Sequence, residues 1–484
     1  MFNFLKRKNP NPKLFVIGLD CAPPELVFEQ WRQELPNLNR LITNGSYGKL
    51  QSCIPCITVP AWSVMTASHD PGELGIYGFR NRSDTSYHNM SIASAAAVKA
   101  DRVWDILSRA GKQVIVVGVP PMYPVKPVNG IAVGCFLTPA TVGVNEAGAR
   151  MTKIFTYPAE MSGQINEWAG GEYLVDVKQF RTENKDFLLK QIYEMTEKRF
   201  AVVKKLMTER PWDFFMFVEM GTDRIHHGFW KYHDPTHWKH EPGNPYQNAI
   251  RDYYHMIDEQ IGQLLSLLDE NTAVMVLSDH GAKKMDGGIC VNEWLRREGY
   301  LVLKEEPEGQ GVIPFEKVEV DWEKTMAWSS GGYYGRIFLN MQGREPNGVI
   351  PPERYEAVRD ELVEKLAALT DHEGHNIGTV SYKPQGIYRE VRGVAPDLIV
   401  YFGNLFWRAV GSFGHHSVHT FENDTGPDDA NHAEYGIYIY YDPRQRQGGQ
   451  ELQGLELMDV GPTMLDALGV PVPGDMRGRL ISRR

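Results

Sequence analysis

Two stretches decide how this chain reads: Leu14-Phe15-Val16-Ile17-Gly18-Leu19-Asp20 and Ala273-Val274-Met275-Val276-Leu277-Ser278-Asp279-His280-Gly281. Each opens with consecutive apolar residues and no polar alternation. That is the pattern of a strand buried on both faces, as in a parallel sheet covered by helices. Residues 114–119, 214–218, 398–402 and 437–441 repeat it. Between these runs the period changes to helical: Ile250, Tyr254, Ile257, Ile261, Leu264 and Leu268 share one face. A second helix is expected over 460–468, with Pro462 tolerated in its first turn. Strands alternating with helices predict an α/β fold, a mostly parallel central sheet with helices on both faces.

Residues 300–395 break that rhythm. They hold a Glu- and Gly-rich stretch at 305–311, a strand-like run at 335–340 and a helix-like run at 352–369. This predicts an inserted α+β cap subdomain at 300–395, a catalytic core formed by 12–300 and 395–484, and an N-terminal tail at 1–11. A smaller insertion is expected near 135–185. No internal repeat is visible, which excludes a solenoid.

With 42% hydrophobic and 23% charged residues over 484 positions, the chain can bury a large core and is not a disordered tail. Its formal charge of −10 argues against wrapping nucleic acid, which requires a basic face. The five cysteines, Cys21, Cys53, Cys56, Cys135 and Cys290, are too few and too uneven for a disulfide framework, so a reducing cytoplasmic setting is expected. No 18-residue apolar run occurs, so no integral membrane association is expected. Lys6-Arg7-Lys8 reads as a solvated terminus. The oligomeric state is left open.

The chemistry gathers where carboxylates follow strands. Asp20 ends the first run, Asp279 follows another after one serine, and Asp223 comes shortly after the run at 214–218. In an open α/β sheet, ligands bind beyond the carboxyl ends of the strands. One such aspartate is most simply a helix cap or turn residue. Three at one edge would repel one another unless cations lay between them. Histidines accompany them: His280 adjoins Asp279, and His227 lies four residues beyond Asp223, on the same face of a helix. His226 competes with His227 on spacing alone. His432, in Asp428-Asp429-Ala430-Asn431-His432, precedes the run at 437–441. Asp and His donors without thiolates suit Zn²⁺, with Mn²⁺ or Fe as lesser options.

A second feature is Cys53-Ile54-Pro55-Cys56-Ile57-Thr58-Val59-Pro60-Ala61-Trp62. Pro60 can open a helix, which puts Thr58 at its N-terminus, where free N–H groups and the dipole favour an anion. A threonine there is ordinarily just a cap; as a nucleophile it needs activation, which a metal ion supplies.

Five segments, in this order, resemble the alkaline phosphatase superfamily, and most closely its type I phosphodiesterase/nucleotide pyrophosphatase branch. They are Ile17-Gly18-Leu19-Asp20, Thr58-Val59-Pro60, Asp223-x-x-x-His227, Ser278-Asp279-His280-Gly281 and Asn431-His432. The tail, from Asp459-Val460-Gly461-Pro462 to Arg477-Gly478, is similar too. The resemblance implies an alkaline-phosphatase-like fold and two zinc ions. Asp20, Thr58, Asp279 and His280 would surround one, and Asp223, His227 and His432 the other. It further implies Thr58 as nucleophile, a phospho-threonine intermediate and a small phosphate ester or nucleotide as substrate. By the same resemblance an asparagine downstream of the nucleophile holds a phosphate oxygen, and Asn81 is the nearest candidate.

Other readings compete. A sulfatase needs Arg where Ile57 stands, and a phosphoglycerate mutase of this superfamily uses serine where Thr58 stands. A phosphomonoesterase of the same superfamily is the main alternative, and a non-catalytic metal-binding protein a lesser one. The histidines within 226–240 and the loop His415-His416-Ser417-Val418-His419 offer further polar surface or a third metal site. Arg336 and Arg344 in the insert could bind a second phosphate or form simple ion pairs.

Overall fold

The computed structural model describes residues 12–144, 150–306, 311–445 and 448–482. The tail 1–11, with Lys6-Arg7-Lys8, and residues 307–310 of the Glu/Gly-rich stretch lie outside the described residues.

Lys13–Leu19 is the central strand of a ten-stranded sheet. It pairs in parallel with Phe214–Glu219 on one side and Thr272–Leu277 on the other, Leu14 lying opposite both Phe214 and Ala273. Val114–Val117 and Gly130–Val133 extend the parallel part. The unbroken apolar runs are explained by this position: every residue of Phe214–Glu219 and Thr272–Leu277 is buried. Equal register brings the carboxyl ends of three strands to one edge, so Asp20, Asp223 and Asp279 leave the sheet together.

Two of the six apolar runs depart from expectation. Tyr435–Tyr441 belongs to the central sheet but runs antiparallel, between Thr272–Leu277 and Ser46–Gln51. Leu398–Tyr401 is not in that sheet. It pairs with Gly335–Leu339 and Val380–Tyr382 in a separate four-stranded antiparallel sheet. Both strands are buried on two faces, and burial alone does not distinguish parallel from antiparallel pairing. The apolar cluster around the smaller sheet runs from Ile289 to Phe413, wider than 300–395 at both ends.

The helices follow the periodicity with shifted ends. Ala249–Leu265 carries Ile250, Tyr254, Ile257, Ile261 and Leu264 inward. The last helix, Leu457–Ala467, starts three residues before the expected boundary, so Pro462 lies inside it and not in its first turn. A proline leaves the carbonyl four residues back without its helical donor. That carbonyl, Met458 O, accepts instead from Ser68 Oγ at 2.7 Å.

Gly18 positions the next element. A β-carbon there would lie 2.6 Å from the Trp62 ring, so only glycine lets the helix Thr58–Ala67 pack this closely on the central strand.

Candidate functional site

The close packing at Gly18 places the first side chain of the site. Trp62 donates its indole N–H to Asp20 Oδ2 at 2.7 Å. Asp20 Oδ1 is left buried and without a hydrogen-bond partner. Asp20 is thereby held by the helix whose first residue is Thr58. Thr58 is buried, and its Oγ1 lies 3.4 Å from His280 Nε2.

Ser278 locks the neighbouring turn: its hydroxyl donates to His280 O and accepts from the Ala22 N–H. Asp279 Oδ1 accepts the Cys21 N–H at 3.3 Å, while Oδ2 has no hydrogen-bond partner and faces His280 Nε2 at 3.2 Å. Cys21 holds this corner with φ of 64°, a conformation that L residues other than Asn, Asp and Gly seldom adopt.

The third strand end feeds the helix Gly221–His233. Asp223 and His227 fall on one face of it, with His227 Nε2 3.3 Å from Asp223 Oδ1. His226 points elsewhere: its Nε2 meets the Tyr254 hydroxyl at 3.2 Å, and its ring packs against Trp230. Burial pulls His226 down to about 3, so it is a neutral core group. His432 arrives on Ala430–Ala433, paired antiparallel with Gly281–Lys284 directly after His280. Its Nε2 lies 3.2 Å from that of His227, and its ring stacks on His280 at 3.9 Å.

All three of these histidines are oriented alike. His227 Nδ1 faces Asp428 Oδ1 at 2.7 Å, His432 Nδ1 faces Cys56 O at 3.0 Å and His280 Nδ1 faces Gly281 O at 3.2 Å. Each acceptor fixes a proton on Nδ1 and turns the Nε2 lone pair inward, the arrangement of a metal-ligating imidazole. The donor atoms form two adjoining sets within 4.8 Å: Asp20, Asp279 and His280, and Cys21, Asp223, His227 and His432. The unpartnered oxygens of Asp20 and Asp279 fit a divalent cation, which satisfies what no protein donor reaches.

The electrostatics agree. Burial and the Asp223 charge push Asp20 well above the usual carboxylate range. Burial and the Asp20 charge do the same to Asp279. For Asp223 burial also opposes ionisation, but His227 and Arg224 outweigh it and hold the carboxyl well below that range. Burial would lower His227, yet Asp428 and Asp223 raise it to about 10. Burial lowers His280 to about 4 and holds His432 well below the usual imidazole range. A divalent ion would take the place of the Nε2 proton on His227, leave its Nδ1 proton directed at Asp428, and supply the positive charge that three buried carboxylates with Arg224 lack.

Beside this cluster lies a cavity of about 630 Å³ that reaches from Thr58, Asp223, His227 and His432 to the smaller sheet. A profile of the type I phosphodiesterase/nucleotide pyrophosphatase family matches residues 14–428. The chain belongs to this family. It is therefore a phosphoric ester hydrolase. A search of curated protein sequences returned no match. Among solved structures, human ectonucleotide pyrophosphatase/phosphodiesterase 5 is similar at 12% identity and a TM-score of 0.54, covering 96% of this chain and 97% of that one. The murine counterpart, solved as an inactive form in complex with AMP, is similar at 12% identity and a TM-score of 0.54, with 96% of each chain covered. At that identity the likeness is one of fold.

Asn81 does not join the site as expected. Its Oδ1 accepts the Tyr77 N–H at 2.7 Å and its Nδ2 donates to Gly78 O at 3.0 Å, so its amide closes a local turn. It is not among the residues lining the cavity, whereas Phe79, Arg80 and Arg82 on either side of it are. Arg344 takes the simple ion-pair role, with Asp397 and Glu345. Arg336 lines the cavity but spends its terminal nitrogens on Arg80 O and Ser330 Oγ. His415 and His419 are engaged by Ser412 and by Thr370 O. Among the described residues, the only other metal-capable set is Asp371, Glu373 and His375, which is largely exposed.

Sequence reasoning missed Asp428, Tyr333 and Arg224. Tyr333 stacks on His227 at 4.9 Å and donates its hydroxyl to Asp428 Oδ2 at 2.8 Å. Arg224 pairs with both Asp223 and Asp176. Asp428 was visible four residues before His432; Tyr333 comes from just before the strand Gly335–Leu339 of the smaller sheet and carried no local signal.

Proposed function

We propose that this protein hydrolyses phosphodiester or pyrophosphate bonds of small nucleotide-like substrates at a two-metal site, with Thr58 as nucleophile. The observation that carries the reading is the convergence of Thr58 with six buried ligand-type residues, the three histidines all turned Nε2-inward. Asp20, Asp279 and His280, with Thr58 beside them, would hold one divalent ion, and Asp223, His227 and His432 the other. Oxygen and imidazole donors favour Zn²⁺, with Mn²⁺ or Fe as alternatives. Bound ions would acidify the hydroxyl of the nucleophile and offset charge on the transferring phosphoryl group.

The chain's own residues do the rest. The start of the Thr58–Ala67 helix presents its free N–H groups beside the reacting oxygen, which suits an anion. Gly18 and Trp62 fix Asp20, and through it the distance between strand edge and helix. Asp428 orients His227, and Tyr333 covers the ring. Attack by Thr58 Oγ on phosphorus forms the threonyl phosphoester and releases one alcohol or phosphate; water then cleaves that ester and regenerates the hydroxyl. The cavity volume suits a nucleotide-sized molecule, and the AMP bound in the murine relative supports a nucleotide substrate. All five cysteines are free thiols, which supports a reducing compartment. Among the described residues no helix is long and apolar enough to cross a membrane.

The test compares kcat/KM for 4-nitrophenyl phosphate with that for bis(4-nitrophenyl) phosphate. The reading expects the diester to be preferred; a strong monoester preference would make this a phosphomonoesterase.

A further inference from the structure

The cavity has a second charged end. Next to Tyr333 it is lined by Arg408, on the strand Trp407–Val410 that pairs with Gly287–Cys290. Its guanidinium carbon sits over the Tyr333 ring, 5.8 Å from the centroid, on the ring that itself stacks against both histidines. Arg408 is 2% exposed. Its Nη2 reaches Thr425 Oγ1 at 3.4 Å and the Asp424 carboxylate at 3.7 Å. Nε and Nη1 are buried with no hydrogen-bond partner at all.

Asp424 balances the charge of Arg408 but not its N–H donors. A buried guanidinium has five N–H groups in a fixed plane, and leaving donors on two of its three nitrogens unbonded costs free energy unless an acceptor reaches them. Asp424 stands at the Nη2 end, with Oδ1 3.7 Å from Nη2 and Oδ2 accepting from Ser412 Oγ at 2.8 Å, and neither oxygen bonds Nε or Nη1. Nearby, Arg181 also keeps a buried, unpartnered Nε while its Nη2 serves Tyr333 and Asp428. Two guanidinium groups with unpartnered Nε donors, both lining a cavity that begins at the nucleophile, match a tetrahedral or planar oxyanion.

We propose that Arg408, assisted by Arg181, binds a second anionic group of the substrate, a phosphate or carboxylate distinct from the phosphate that reacts at Thr58. This deepens the proposed function and rests on its placing the reacting phosphate at Thr58. The substrate class narrows to phosphodiesters that carry another oxyanion elsewhere in the same molecule.

Three substrates test it: the 4-nitrophenyl ester of thymidine 5′-phosphate with a free 3′-hydroxyl, a 3′-phosphate or a 3′-hemisuccinate. The native enzyme is expected to favour at least one charged form by about tenfold or more in kcat/KM, as charge-assisted hydrogen bonds allow. In Arg408→Gln that preference falls to about one, and Arg408→Lys restores part of it. Which charged form is favoured distinguishes phosphate from carboxylate. A ratio near one in the native enzyme, or an undiminished ratio in Arg408→Gln, overturns the proposal. Calorimetry reads the same contact without turnover, through thymidine 3′,5′-bisphosphate against thymidine 5′-monophosphate. About tenfold tighter binding of the bisphosphate, abolished in Arg408→Gln, supports the anion site even if no ester is hydrolysed. Hydrolysis of none of the three esters would count against the proposed function alone, and equal binding of the two nucleotides against the Arg408 site.

Discussion

His227 and Asp428 meet at 2.7 Å, imidazole Nδ1 to carboxylate Oδ1, with both side chains buried. The contact joins a helix of the core to a segment more than two hundred residues later, and it decides which nitrogen of His227 faces Asp223 and His432. Arg181 and Tyr333 also bind Asp428. The carboxylate is therefore held as an orienting group and is not free to act as a ligand itself.

Replacing it should loosen metal without removing a ligand. Asp428→Asn is expected to weaken divalent-ion affinity by roughly 10- to 100-fold, the usual cost of losing such a partner. Competition with a chromogenic zinc chelator measures this. Unchanged affinity would show that His227 needs no orienting carboxylate.

Gly18 is expected to tolerate no side chain. Gly18→Ala puts a methyl group 2.6 Å from the Trp62 ring and 2.8 Å from Val218. Overpacking of this kind costs about 1–3 kcal/mol, and Trp62 must move away from Asp20 to relieve it. Lower urea stability together with weaker metal binding is the expected result. Lost stability with intact metal binding would separate the packing contact from the site.

His237 gives the fold an acid sensitivity apart from the ligands. Buried, it accepts the Lys239 N–H on Nδ1 at 3.0 Å and donates Nε2–H to Asp429 O at 3.2 Å. Burial lowers it to about 4 from an unfolded value of 6.5. Between those values the unfolded chain binds more protons. The stabilisation from keeping His237 neutral is thus complete above pH 6.5 and is lost as pH falls toward 4, on the order of 3 kcal/mol in all. His237→Gln should reduce the fall in thermal midpoint between pH 7 and pH 4.5. An identical fall in both proteins would assign the acid sensitivity to other groups.

Much of this site was legible because strand ends are marked by chemistry. Apolar runs ending at Asp20 and before Asp279 locate two strands and the edge where they release their carboxylates, and 3.6-residue periodicity puts Asp223 and His227 on one helix face. What was not legible depended on distant packing. Leu398–Tyr401 and Thr272–Leu277 are equally apolar, and only the folded chain shows that they enter different sheets. Spacing could not choose between His226 and His227, because the choice is made by Tyr254 and Trp230 on one side and Asp428 on the other. Asn81 has the right residue type for a phosphate contact, but its turn with Tyr77 and Gly78 engages the amide. Arg408 and Tyr333 had no motif, since their significance lies in what they face across the cavity.

The most direct test of the account is kcat/KM of Thr58→Ala on bis(4-nitrophenyl) phosphate, with the metal content of the same preparation determined by elemental analysis. About two divalent ions retained per chain and a loss of roughly 10³-fold or more are expected, because Asp20, Asp279, His280, Asp223, His227 and His432 remain while the attacking oxygen is gone. Turnover near that of the native enzyme, with the metals in place, would contradict Thr58 as the nucleophile.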